Sequence, residues 1–239
     1  MPEYALYLES GPRRRKTMVH VLDLLGCIAQ GPTTEAALEA TPQAIRAYLG
    51  FLHWHGEMVE PGDDFSTVVA AHVTEGSWIG NGDPMPGFAP DFQPLDVEDL
   101  AVYLRHLDWL RIDLLRSVDG LTPGQMLAEP EDGSRSICHI MEHMAESQGN
   151  YLRMTVGKVD GLPEALRAVQ AGPETIPAAL THQWRIIIDR LEGMSEIERN
   201  QPVQHGQLTW TARRGLRRLL EHPWEHLLEI ERRLGRSDV

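Results

Sequence analysis

The segment that decides the fold of the second half of the chain is residues 216–227, LRRLLEHPWEHL. Its leucines recur at three- and four-residue spacings, which is typical of one apolar face of a helix. His222 and His226 are four residues apart, so their imidazoles lie on one side of that helix about one turn apart. A third histidine on a facing helix would complete a three-ligand metal site with an open coordination position, which is typical of a reactive metal.

The rest of the second half predicts three further long amphipathic helices and no strands. The four helices span residues 97–118, from Ser134 or Ser136 to about 156, about 175–192, and from near Thr211 to Gly235. A longer crossover, residues 157–173, is predicted to hold a short helix at 163–169. Helices of this length without strand signals favour a four-helix bundle. Pro223 is expected to disturb the bond to the carbonyl of Leu219 and to kink the last helix.

The candidate third ligand lies on the second of these helices. His143 is placed at the flank of that helix's apolar stripe, and His222 and His226 flank the stripe of the last helix. All three histidines are therefore expected at the edge of the core, where a cleft between helices opens. His139 precedes His143 by four residues, so a shifted ligand assignment stays open.

The composition limits the classes of partner. A net charge of −13 argues against nucleic acid, and no apolar stretch approaches the roughly 20 residues that span a membrane. Two cysteines, Cys27 and Cys138, do not build a disulfide framework, so a cytoplasmic location is expected.

Two basic runs are local exceptions to the negative net charge. The run at residues 13–16 is interpreted as a hairpin tip. Arg213, Arg214, Arg217 and Arg218 are interpreted as a solvated face paired with acids, with an anchor for an anionic substrate as the alternative.

The first half predicts a small α+β unit. Strands are expected at residues 4–9, 17–23 and 65–73, with a helix between the last two that starts at the N-cap Thr33 and stops at Gly56. Pro42 is expected to kink or interrupt this helix. An exposed edge on the third strand would favour a homodimer through strand pairing.

A run of three glycines and four prolines separates the halves, at residues 80–94 (GNGDPMPGFAPDFQP). Such a run sustains neither helix nor strand. The sequence therefore predicts an α+β domain at 1–78, a linker at 79–94 and an all-α four-helix bundle at 95–239. We expect the two domains to fold independently, although the first is short and marginally stable alone.

Residues of the first half resemble the HicB-like antitoxin domain. The match runs through the hairpin, then residues 22–27 (LDLLGC) and 31–38 (GPTTEAAL), and it ends near Gly56. Leu22 and Leu25 stand where that family usually has proline. The resemblance implies a domain that binds a protein partner, a small toxin in the antitoxins. No basic helix follows Val73, which argues against a repressor.

The second half, from about Leu95 onwards, resembles the DinB-like superfamily of metal-dependent four-helix bundles. The matching residues are Ser136-Ile137, residues 143–146 (HMAE) and residues 219–227 (LLEHPWEHL). The resemblance implies that His143, His222 and His226 are metal ligands. It also implies a hydrolase or a thiol-dependent transferase acting on a small-molecule substrate. Zinc or nickel suits three nitrogens best, with iron or manganese as alternatives.

Glu146 and Glu225 are the candidate catalytic carboxylates beside these ligands, as bases or as groups that orient the ligands. Glu225 does not directly follow the first histidine of the pair, so the segment is not the HExxH arrangement of zinc proteases. The alternative function is a non-catalytic interaction module or antitoxin-like protein with the bundle as scaffold. Imidazole nitrogens that cannot approach within roughly 4 Å of one another would favour that alternative.

Overall fold

The computed structural model describes residues 1–11, 16–76, 79–80 and 86–236. Most of the basic run at residues 13–16 therefore lies outside the described residues, as does part of the predicted linker. The chain divides into two compact units. The first is Met1–Gln93 with Gly206–Thr209, and the second is Pro94–His205 with Trp210–Ser237. No helix in the described ranges is long and apolar enough to cross a membrane.

The first unit is a four-stranded sheet with one long helix. Its elements are β1 Glu3–Ser10, β2 Thr17–Val21, β3 Cys27–Gly31, α1 Thr34–Trp54 and β4 Ser66–Val73. The strand order is β3-β2-β1-β4, with β4 parallel to β1 and the other pairs antiparallel. The predicted hairpin, helix and last strand are confirmed. Strand β3 was not predicted, because its sequence CIAQG does not alternate apolar and polar residues.

Helix α1 begins as expected and continues past the proline in its interior. The Thr33 side chain accepts a hydrogen bond from the backbone N–H of Ala36. The expected interruption at Pro42 is wrong, since the helix runs unbroken to Trp54. Ile45, Tyr48 and Leu49, which follow the proline, are buried. Packing of these side chains offsets the lost backbone hydrogen bond.

The described residues of the predicted linker up to Gln93 belong to the first unit. Ile79 and Phe88 are buried, and the Phe88 ring lies 5.4 Å from the ring of Tyr7. The backbone N–H of Gly80 donates to the buried carboxylate of Glu9 at 2.9 Å. Apolar residues within this Gly/Pro-rich run therefore contribute to the core of the sheet unit. Independent folding of the two predicted domains stays a prediction.

The second unit is the predicted helical bundle with small additions. Its long helices are α2 Val97–Val118, α4 Ile137–Val156, α6 Ile176–Glu192 and α8 Ala212–Arg233. The short helices are α3 Pro123–Leu127, α5 Leu162–Val169 and α7 Glu196–Asn200. The four long helices and α5 are confirmed. The expectation of no strands in residues 95–239 is wrong, because a short hairpin of β5 Val203–His205 and β6 Leu208–Trp210 precedes α8 in the chain. Each strand has only three residues, too few for a sequence signal.

Helices α4 and α8 approach each other closely. A Cβ placed on Gly215 of α8 would lie 2.0 Å from the hydroxyl oxygen of Thr155 on α4. Glycine at this position therefore lets the two backbones come together. The Thr155 hydroxyl also accepts a hydrogen bond from the buried indole N–H of Trp210 at 2.9 Å.

A side chain from α4 compensates for the proline in α8. Pro223 has no N–H to donate to the carbonyl of Leu219, yet α8 runs through this point. The side-chain amide of Gln148, buried on α4, donates to that carbonyl at 3.1 Å. Gln148 is in turn the acceptor for the indole N–H of Trp184 on α6 at 3.0 Å. The missing helical hydrogen bond of α8 is thereby replaced by one that joins it to α4.

We predict that Gln148 and Pro223 are energetically coupled. Gln148→Leu should destabilise the protein by about 1–3 kcal/mol, because the Leu219 carbonyl and the Trp184 N–H become buried without partners. In a Pro223→Ala background the new N–H of residue 223 pairs with Leu219. The same Gln148 substitution should then cost about 1 kcal/mol less. Urea denaturation of the wild type, both single variants and the double variant measures this difference, and additive effects would contradict the prediction.

Candidate metal centre

Helices α4 and α8 bring the three predicted histidines together. The Nε2 atom of His222 lies 3.2 Å from Nε2 of His143 and 3.2 Å from Nε2 of His226. One ligand atom from each histidine lies within 4.8 Å of the others. His222 and His226 are buried and His143 is partly exposed. The cluster therefore has an inner side formed by α8 and a more open side at His143.

The separation of these nitrogens fits a shared metal ion. Two nitrogens about 2.1 Å from one ion are about 3.0 Å apart at an octahedral angle and about 3.4 Å apart at a tetrahedral angle. The two measured separations of 3.2 Å fall between these values. The donor set of three imidazoles suits zinc, nickel or iron, and it does not choose among them.

The surroundings keep two of the imidazoles neutral. Burial, with the nearby positive charge of Arg135, lowers the pKa of His143 to about 4. Burial also lowers the pKa of His222 well below its ordinary value, and His226 adds to this effect. Near neutral pH these rings carry no charge and retain a lone pair, which is the form that binds a metal ion.

A carboxylate that was not predicted lies behind the cluster. The Nδ1 atom of His226 is 2.8 Å from a carboxylate oxygen of Glu229, one turn along α8. This hydrogen bond lowers the pKa of Glu229, so its carboxylate is ionised and accepts a hydrogen bond from the Nδ1–H group. Arg233 pairs with the same carboxylate from the next turn. A carboxylate three residues after a candidate ligand was the available sequence signal for Glu229.

The other predicted site residues differ in their exposure. Glu146 is exposed on α4, and Glu225 is partly buried on α8. Their catalytic roles stay predictions. His139, the alternative ligand, is exposed and lies outside the group of three histidines.

The arginines at the start of α8 do not form a solvated face. Arg214, Arg217 and Arg218 are at most 2% exposed, which makes that interpretation wrong for these three. Arg217 and Arg218 both pair with the buried carboxylate of Glu221, at 3.4 and 2.6 Å. The expected acidic partners are therefore present, but within the core. Charge patterning along a helix shows which groups pair and does not show how deeply the pair is buried.

This buried charge cluster extends to the histidines. Arg218 donates to the hydroxyl of Tyr151 at 3.2 Å, and the Tyr151 ring lies 5.8 Å from the ring of His222. The guanidinium also lies over the Tyr151 ring, 5.2 Å from its centre. Arg218 and Tyr151 thus form the wall of the cluster on the side toward the start of α8.

Comparison with known proteins identifies the helical half. The family model described as the DinB superfamily matches residues 106–230, which include all three clustered histidines. Searches of curated proteins and of solved structures gave no match. The match covers just over half of the chain and runs from within α2 to the last turns of α8. This chain therefore belongs to the DinB superfamily.

Proposed function

We propose that the protein is a divalent-metal-dependent enzyme, either a hydrolase or a thiol-dependent transferase acting on a small molecule. The observation that carries this proposal is the convergence of three Nε2 atoms from His143, His222 and His226. Family membership supports it, because the DinB-like resemblance implies metal at these positions. The low pKa values of His143 and His222 add support, since neutral rings bind cations without first losing a proton.

Each residue has a distinct part in this proposal. The three histidines would hold zinc or nickel, with iron or manganese as alternatives. When bound, the ion would act as a Lewis acid and activate a water or a thiol near neutral pH. The partly exposed His143 side is where a substrate would approach. Glu146 and Glu225 are the proposed bases that accept the proton of the activated group.

We predict that protein purified without a metal-affinity tag contains close to one divalent ion per chain. His222→Ala should lower that content below about 0.1 per chain, because two remaining ligands do not hold an ion through purification. Elemental analysis by mass spectrometry measures the content. His139→Ala is the matched control, since His139 is exposed one turn before His143, and it should leave the content unchanged.

Two outcomes would contradict the metal-site proposal. One is a wild-type content below about 0.1 per chain that also stays there after dialysis against each of the four metals. The other is equal content in the wild type and in His222→Ala. Loss of metal in His139→Ala together with retention in His143→Ala would transfer the site to the alternative ligand set.

The pKa of His143 also predicts how stability depends on pH in the metal-free protein. The folded pKa is about 4, below the value of about 6.5 expected for the unfolded chain. The unfolded chain therefore binds more protons, and stability falls as pH decreases from about 6.5 toward about 4. His143→Leu should reduce that slope, whereas His139→Ala should preserve it. Urea denaturation between pH 7 and 4.5 measures the slopes, and an equal slope in the wild type and His143→Leu would contradict the prediction.

We also propose that the sheet unit is an interaction domain of the HicB-like kind. The supporting feature of its architecture is a small four-stranded sheet with one long helix. Strand β4 is the edge of the sheet, and its sequence STVVAAHV has no acidic or basic residue other than His72. Val68 and Val69 are 46% and 48% exposed, although successive side chains point to opposite faces. An uncharged edge strand with exposed apolar residues on both faces is a template for pairing with another strand.

A homodimer through β4 is the specific form of this proposal. Val69→Lys places like charges near the two-fold axis of paired edges and should convert the dimer to a monomer. Leu127→Lys is the control, because Leu127 is a comparably exposed leucine, 53%, on α3 of the bundle. Sedimentation velocity at about 50 μM measures the oligomeric state of the wild type and of both variants. A monomeric wild type, or a dimer that survives Val69→Lys, would contradict pairing through β4.

A further inference from the structure

The two histidines of α8 are held in different ways on the side away from the cluster. Nδ1 of His226 lies 2.8 Å from a carboxylate oxygen of Glu229, which also pairs with Arg233, and the Nδ1–H group donates to that oxygen. Nδ1 of His222 is buried and has no hydrogen-bond partner among the described residues. The His222 ring is instead in edge contact with the rings of Tyr151, at 5.8 Å, and of His143, at 4.9 Å. Of these two rings, only that of His226 has a hydrogen-bond partner for Nδ1 among the described residues.

Glu229 is itself held by a residue that reaches the other helix. Arg233 pairs with the Glu229 carboxylate, and it also donates to the backbone carbonyl of Arg135. Arg135 directly precedes Ser136, the N-cap of α4, and α4 carries His143. One guanidinium therefore connects the carboxylate behind His226 to the start of the helix that supplies the third histidine.

A neutral imidazole has one N–H and one lone pair, so a hydrogen bond at one nitrogen decides what the other nitrogen offers. An ionised carboxylate only accepts hydrogen bonds. It therefore keeps the proton of His226 on Nδ1 and leaves the lone pair on Nε2, which faces the cluster at 3.2 Å from His222. Partners of this kind also make the ligand nitrogen a better electron donor.

We propose that Glu229, held in place by Arg233, is the positioning residue of the metal centre: it fixes the Nδ1–H tautomer of His226 and thereby sets metal affinity. The inference rests on the proposed function, because it takes the three histidines as ligands. Glu229, which contacts the ligand His226 directly, is thereby assigned the role of orienting a ligand. The proposed proton-transfer roles of Glu146 and Glu225 are unaffected.

The first test is zinc affinity, measured by competition with a fluorescent chelator. Glu229→Ala should weaken zinc binding about 10–100-fold, the usual effect of losing such a partner. Glu229→Gln should recover part of the loss, because the amide oxygen still accepts from Nδ1 but carries no charge. Glu231→Ala, on the same helix and without the contact to His226, should stay within about twofold of the wild type. Circular dichroism melts establish whether each variant is folded. If Glu229→Ala does not fold, the zinc affinity of Glu229→Gln decides the test.

The second test reads the tautomer directly and needs no metal. In the metal-free wild type, ¹⁵N spectra of labelled histidines should show His226 with its proton on Nδ1. Glu229→Ala should shift part of the population to the Nε2–H form, a change that a purely structural role would not produce.

Arg233 is tested by the same zinc-affinity measurement. Arg233→Ala should weaken zinc binding less than Glu229→Ala does. Arg233→Lys should recover only part of that loss, because lysine lacks the planar fork of donors. Exposed Arg232→Ala is the matched control.

The outcomes separate this inference from the proposed function. A wild type that binds no zinc overturns the metal site, while the tautomer measurement still decides the role of Glu229. A wild type that binds zinc, with Glu229→Ala within twofold of it or with an unchanged His226 tautomer, overturns the inference and leaves the metal site standing.

Discussion

The hydrogen bond from Gln148 to the carbonyl of Leu219 is the constraint on which the bundle and its candidate site depend. It occurs where Pro223 removes the ordinary helical partner of that carbonyl, directly beside His222. A buried carbonyl without a partner costs about 1–3 kcal/mol, so α4 and α8 must meet in a register that brings Gln148 to it. Gln148 lies five residues after His143, and the same register places His143 against His222. One contact thus links the packing of α4 against α8 to the geometry of the ligands.

Helix α8 carries an unusual amount of polar chemistry in its buried positions. Glu221 and its two arginine partners are buried, and the histidine cluster begins at the next residue. Burial of charge is costly unless each group is paired, and here two arginines share one carboxylate. His143 and His222 meet the same low-polarity surroundings differently, because burial lowers the pKa of both rings and keeps them neutral. The helix therefore combines permanently charged groups, held by ion pairs, with neutral groups available to a cation.

Much of the bundle and of the ligand set was predictable from the sequence. Helices α2, α4, α6 and α8 each carry an apolar stripe long enough to identify them. Capping residues such as Ser136 and Thr211 marked where two of them begin. The i,i+4 spacing of His222 and His226 placed them on one side of α8 before any tertiary information. Strand β3 escaped prediction because CIAQG does not alternate apolar and polar residues, and the two strands before α8 escaped it because three residues are too few to show a pattern.

The sequence by itself determined the fold class of each half and three residues of the site, because these follow from local periodicity and residue chemistry. Tertiary structure alone decided how deep the polar groups lie and which of them meet. Arg217 and Arg218 were interpreted as part of a solvated face, whereas the structure buries both of them in ion pairs with the buried Glu221. Pro42 was expected to kink or interrupt α1, and Pro223 was expected to kink α8. Packing of α1 and the amide of Gln148 offset the hydrogen bonds that the two prolines remove. Local sequence fixes the conformation that a segment prefers, whereas burial and pairing depend on residues far away in the chain, such as Gln148 and Leu219, which only folding brings together.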